Sequence, residues 1–157
     1  MEQSPVGEVV LDVPARPEYL SLVRQVVAAA AAVQMVRDER IDALRLAVSE
    51  ATTNAIESYA DVGGAASDPR SQRIVVRCNL DVERVEVEVR DRAGGIDADV
   101  AETVVDPGDL DDPNQERGRG LPLMRHLADQ WEITAGDGGT SVRLVVFTPW
   151  GDQPADD

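Results

Sequence analysis

Lysine is absent from this 157-residue chain, and all 15 of its basic residues are arginine. Neither a P-loop lysine nor the strand lysine of ordinary protein kinases can therefore be present. A single cysteine, Cys78, excludes an internal disulfide and any multi-cysteine metal site. It lies in an apolar alternation, which reads as burial of a small hydrophobe. The one histidine, His126, weighs against zinc sites built from several histidines and against most Ser-His-Asp arrangements. Aromatics make up only 3%, so aliphatic side chains must fill the interior. No apolar run approaches the roughly 20 residues of a membrane span. The alanine-rich "VVAAAAAV" is not preceded by the basic start of a signal peptide, so the expectation is a cytoplasmic protein with no membrane contact. Positive charge is scarce too. A net charge of −15 argues against binding nucleic acid by phosphate neutralisation, and otherwise favours solubility.

What remains is enough to fold. With 43% hydrophobic residues, the length suits one domain, expected over 1–150 with a disordered tail at 151–157. "GEVVLDV" (7–13) reads as a strand. Apolar residues at Leu20, Val23, Val27 and Ala30 predict a helix over about 18–33. Asp38 is placed to cap a second helix reaching about Tyr59. Residues 73–80 and 84–91 alternate apolar and polar, as neighbouring antiparallel strands do. After a long loop, "GRGLPLMRHLAD" opens a third helix, and "WEITAG", "DGG" and "TSVRLVVF" read as a closing hairpin. Mixed hairpins and helices predict an α+β two-layer sandwich: a mixed, mostly antiparallel sheet with helices on one face.

Chemistry concentrates in three places. On the second helix, Glu50 and Asn54 stand one turn apart, about 120° from the centre of the apolar face formed by Ile41, Leu44, Val48, Ala51, Ala55 and Tyr59. Alone, such a pair is ordinarily a solvated helix edge. "DRAGGI" (91–96) sets a carboxylate at a strand end before a glycine pair that lets backbone approach a ligand. "GRG" (118–120) opens a helix whose free amides can receive phosphate. Between the last two lies a loop, 97–116, with eight acidic residues and no basic ones. Loops of that length inside a domain are often lids.

In that order, these motifs resemble the ATP-binding domain shared by gyrase, heat-shock chaperones, histidine kinases and mismatch-repair ATPases, the GHKL (Bergerat) type. Within it, the chain looks like the bacterial anti-sigma factor serine/threonine kinases of sporulation and general stress. "LAVSEATTNAI", "VEVRDRAGGI", "GRGLPLMRHLAD" and "GTSVRL" carry the resemblance, which covers roughly residues 7–148. It implies a division of roles. Asn54 would ligate a magnesium ion bridging the ATP phosphates, and Glu50 would act as general base on the substrate hydroxyl or orient it. Asp91 would accept a hydrogen bond from the adenine amino group, with Thr140 in support. Gly95 would allow close approach to the nucleotide, beside Ile96. Gly118, Gly120 and the adjoining Leu121 would meet the phosphates, with Arg117 or Arg119 neutralising their charge. Residues 97–117 would form the ATP lid.

The chain departs from the family pattern in three respects. Ala93 replaces the usual first glycine of the strand-end motif, "ESYAD" follows Asn54 where many relatives carry a histidine, and the lid is strongly acidic. His126 lies within the helix after "GRG", not in a separate dimerisation helix, so a surface or packing role is expected. The resemblance implies an anti-sigma factor that binds an alternative sigma factor and uses Mg-ATP to phosphorylate an anti-anti-sigma (STAS-type) protein, working as a homodimer without touching nucleic acid. Two other readings stay open on these residues: an ATP-gated binding module without useful kinase activity, and a switch-type serine kinase acting on a signalling scaffold.

Overall fold

Two-residue alternation sets the architecture. The computed structural model describes residues 6–62, 69–93, 127–136 and 138–151. In chain order these form β1 (Gly7–Pro14), α1 (Leu20–Val33), α2 (Asp38–Val62), β2 (Arg73–Leu80), β3 (Arg84–Asp91), β4 (Gln130–Gly136) and β5 (Gly139–Phe147). The strands make one sheet in the order β1-β2-β3-β5-β4, and every pairing among them is antiparallel. Both helices pack against it from one side, through β2, β3 and β5. This is the α+β sandwich expected, with no parallel pair among the described strands.

Register explains why one side is oily. Val9, Cys78, Val87, Leu144 and Trp131 form one rung across all five strands, and Leu11, Val76, Val89, Val142 and Ile133 form the next. These residues point towards the helices because side chains two apart share a face. Leu44 of α2 and Ile74 and Leu144 of the sheet are fully buried between the layers. Each such side chain contributes roughly 1.5–3 kcal/mol on burial. Cys78 is buried among them and its thiol is pushed up to about 11 by burial, so it packs as a hydrophobe and is not a nucleophile.

The six apolar residues assigned to the inner face of α2 are all buried. Ala47 is buried as well, because α1 packs along α2 and widens the covered arc. Two boundaries differ from expectation. A 3-10 turn, Pro17–Tyr19, precedes α1, and Asp38 lies inside the first turn of α2, where with Glu39 it faces the positive helix end. Capping hydrogen bonds run instead to the Arg37 carbonyl, from the Arg40 and Ile41 amides. Between the helices the chain turns at Met35 with φ 59°, and the Met35 and Val36 amides bond the Ala32 and Ala31 carbonyls. That is the left-handed helix ending usually given to glycine.

Arg40 also pairs with Asp129, just before β4, and the other Asp129 oxygen accepts the Phe147 amide at 2.8 Å. This fastens the start of α2 to the closing hairpin. After β5, Thr148 bonds Glu83 and Val82 across the β2–β3 turn, and Gly151, the first residue of the expected tail, is buried there.

Candidate active site

Continuing the rung of Val13 and Ile74 along the sheet leads to Asp91. A carboxylate thus stands where the register calls for a hydrophobe, and only 4% of it is exposed. No arginine neutralises it among the described residues. Its Oδ1 instead accepts two backbone amides, from Ala93 at 3.0 Å and from Thr140 at 3.3 Å. Burial pushes the Asp91 pKa above its ordinary 3.8, and those two amides only partly oppose the shift. No hydrogen bond between described residues occupies Oδ2. The result is an oriented, poorly solvated acceptor at a strand end.

Two residues that the sequence reading used only for packing or turning build this corner. Gly139 opens β5 at φ +115°, and a Cβ there would fall 1.9 Å from the Asp91 carbonyl oxygen. Only glycine permits that approach, which brings the next amide, Thr140, onto the carboxylate. Tyr59 is buried at the far end of α2. Its hydroxyl accepts the Arg92 amide at 2.8 Å and donates to the Arg73 carbonyl at 2.7 Å. One phenol therefore ties α2 to both β2 and β3 directly beside Asp91. A signal existed for each: a glycine at a strand's first residue, and a tyrosine ending an apolar stripe in a chain almost without aromatics.

Glu50 and Asn54 lie on the same helix, with Asn54 about 7.5 Å of helix rise before Tyr59. Both are half-buried, and among the described residues neither side chain makes a hydrogen bond or ion pair. The Asn54 backbone carbonyl accepts the Ser58 hydroxyl at 2.8 Å, and no described residue bonds its carboxamide. The structure thus brings together Asp91 and Thr140, and ties to them the helix that carries Glu50 and Asn54. Gly95, Ile96, Arg117, Gly118, Arg119, Gly120 and Leu121 lie outside the described residues, as do His126 and the lid expected over 97–117.

A family model for the histidine kinase-like ATPase domain matches residues 13–146. The chain belongs to this ATPase family. Among curated proteins it is similar to the serine-protein kinase RsbW of Bacillus pumilus, 32% identical over 133 residues, covering 83% of this chain and 80% of that protein. It is likewise similar to the serine-protein kinase RsbW of Bacillus subtilis, 29% identical over 133 residues, covering 83% and 79%. Among solved structures, that of the RsbU and RsbW domains of a Mycobacterium tuberculosis protein matches with a TM-score of 0.63 at 22% identity. That match covers 95% of this chain and 35% of the other, so the chain spans about a third of that longer protein. It supports the fold.

Membership in the histidine kinase-like ATPase family makes ATP the nucleotide, and the donor set fits. A buried carboxylate with one oxygen that no described residue engages suits an amino group on a purine, and a half-buried carboxamide oxygen suits a hard cation. Ala93, in place of the usual glycine, still brings its amide onto Asp91. Among the described residues no helix is long and apolar enough to cross a membrane.

Proposed function

We propose that this chain is an anti-sigma factor that phosphorylates a serine or threonine of its anti-anti-sigma (STAS-type) antagonist, using Mg-ATP. The likeness to proteins named serine-protein kinase RsbW carries the class of activity, ATP-dependent phosphoryl transfer to a protein hydroxyl. The single structural observation that supports it most is Asp91: a buried carboxylate, without a countercharge among the described residues, fixed by two amides beside the helix of Glu50 and Asn54. Phosphorylation of the antagonist would release it and leave the sigma factor bound to this chain. The setting is the cytoplasm, and residues 1–150 act as one catalytic unit.

Each residue then has a task. Asp91 accepts the adenine amino group through Oδ2, while the Thr140 amide holds Oδ1 in place. Asn54 offers its amide oxygen to magnesium. Glu50, one turn earlier, takes or orients the proton of the incoming hydroxyl as its oxygen bonds to phosphorus. Gly95 and Ile96 adjoin the adenine, and Gly118, Gly120 and Leu121 adjoin the phosphates. Arg117 or Arg119 neutralises phosphate charge in a chain without lysine. When bound, Mg-ATP supplies the transferred phosphoryl group.

A homodimer is part of this proposal. Leu22, Val26, Ala29 and Val33 fall at four- and three-residue spacing along α1, and Leu22 and Val33 are exposed by 43% and 72%. Such a stripe suits a second copy or the sigma factor. The test of the function is transfer of labelled phosphate from ATP to co-purified protein partners. Glu50→Gln should retain ATP binding and lose transfer to a serine or threonine. Substantial transfer by that variant would remove Glu50 from its role.

A further inference from the structure

The sheet face turned away from the helices carries a feature that the nucleotide chemistry does not use. A groove of about 650 Å³ crosses it, and five arginines line it: Arg70, Arg73, Arg77, Arg90 and Arg92. These are a third of the arginines in a chain whose net charge is −15. Among the described residues, two carboxylates, Asp12 and Glu88, are the acidic part of the lining.

The arginines form a ladder. Val75 lies opposite Arg90, and Arg77 lies opposite Glu88, so the antiparallel register places Arg73 and Arg92 together at the next level. Positive charge thus recurs at three successive levels of one face, each about 7 Å from the next. Arg73 is held firmly by Asp12, at 2.9 Å to the carboxylate and 3.1 Å to the backbone carbonyl. The other two pairs are looser: Arg77 to Glu8 at 3.5 Å and Arg90 to Glu88 at 3.8 Å, with both arginines about half exposed. Exposed pairs of that kind are weak, so a better-placed acid can replace the internal partner.

We propose that this groove docks an extended acidic segment of a partner protein, with carboxylates on alternate residues meeting the arginine levels. The spacing selects the occupant. Arg73 and Arg77 are about 13 Å apart along β2, too far for one phosphate to bridge, whereas side chains of an extended chain recur on one side every 7 Å or so. Val75, between them on the groove floor, meets an apolar or small side chain. Elsewhere the acidic chain repels such a segment, so this face supplies both attraction and register. One end of the groove reaches Arg92 and Ala93, next to Asp91, so a docked segment lies beside the nucleotide corner on the opposite side of the sheet. The proposal does not depend on which protein is phosphorylated.

The test uses the full chain and a fluorescein-labelled ten-residue peptide of alternating glutamate and serine, followed by anisotropy. A glutamine–serine peptide is the control, and an Arg77→Ser, Arg90→Ser double variant removes the two loosely held arginines. The glutamate peptide should bind, and the glutamine peptide should not. The double variant should bind the glutamate peptide about tenfold more weakly, with an unchanged melting temperature and unchanged ATP affinity. Added salt should weaken the wild-type complex. Equal binding of both peptides, or equal binding by the double variant, would overturn the proposal. So would tripolyphosphate competing as tightly as the peptide, which would make the groove a small-anion site. A change in oligomeric state of the double variant by sedimentation would instead assign the face to a second copy of the chain, and would overturn it too.

Discussion

Replacing Tyr59 by phenylalanine removes one oxygen and almost nothing else. The ring stays packed at the end of α2, so the effect isolates the two hydrogen bonds of the hydroxyl, at 2.7 Å to the Arg73 carbonyl and 2.8 Å from the Arg92 amide. Both are part-buried. Each intramolecular hydrogen bond contributes about 1 kcal/mol net, so losing both should destabilise the fold by about 2 kcal/mol. For a domain of this size that lowers the melting temperature by roughly 4–8 °C. The second consequence is local. Arg92 directly follows Asp91, so freeing its amide loosens the carboxylate proposed to accept the adenine amino group. Urea denaturation should report the stability loss, and steady-state kinetics should show a several-fold higher KM for ATP with kcat little changed. Stability within about 0.5 kcal/mol of wild type, together with an unchanged KM, would refute the idea that Tyr59 positions this corner.

Asp91→Asn tests the buried charge. Burial raises the Asp91 pKa, so the stability it contributes is fully present below the unfolded value near 3.8 and is lost as pH rises through the higher folded value. Denaturation measured across pH should therefore show the variant gaining on wild type towards neutrality, with the gap closing near pH 3.8. By the same raised value, ATP affinity of the wild type should fall in mildly acidic buffer sooner than an ordinary carboxylate would dictate. Gly139→Ala places a Cβ 1.9 Å from the Asp91 carbonyl oxygen at a φ of +115°. A cost of roughly 2–3 kcal/mol and weakened ATP binding are expected from denaturation and calorimetry. Met35→Gly should do the reverse, stabilising by about 0.5–1 kcal/mol, because a 65% exposed methionine now holds the left-handed turn after α1.

The sheet was legible because its signal is local. Period-two alternation in 73–80 and 84–91 alone predicts which residues face the helices, and Ile74, Val76, Val87 and Val89 are buried accordingly. The helical stripe of α2 is readable on the same grounds. The burial of Ala47 depends on α1, a neighbour that periodicity within one helix does not report. Asp91 could be suspected from its position at a strand end before glycines. That it is buried without a countercharge among the described residues depends on strands meeting, which no single segment encodes. Tyr59 and Gly139 show the same limit: their importance lies in atoms from other elements, the Arg73 carbonyl, the Arg92 amide and the Asp91 backbone. The arginine groove was invisible for a related reason. Its charges are scattered singly between residues 70 and 92, and only the register stacks them.

The central claim is that Asp91 reads the adenine of ATP, and comparing ATP with inosine triphosphate by calorimetry tests it most directly. Inosine carries an oxygen where adenine carries its amino group, so the donor that Asp91 requires is missing. The wild type should bind ATP roughly 10- to 100-fold more tightly than inosine triphosphate, the range for a hydrogen bond to a charged group. Asp91→Asn should lose most of that preference while remaining folded. Equal affinity of the wild type for the two nucleotides, or undiminished discrimination by Asp91→Asn, would contradict the account.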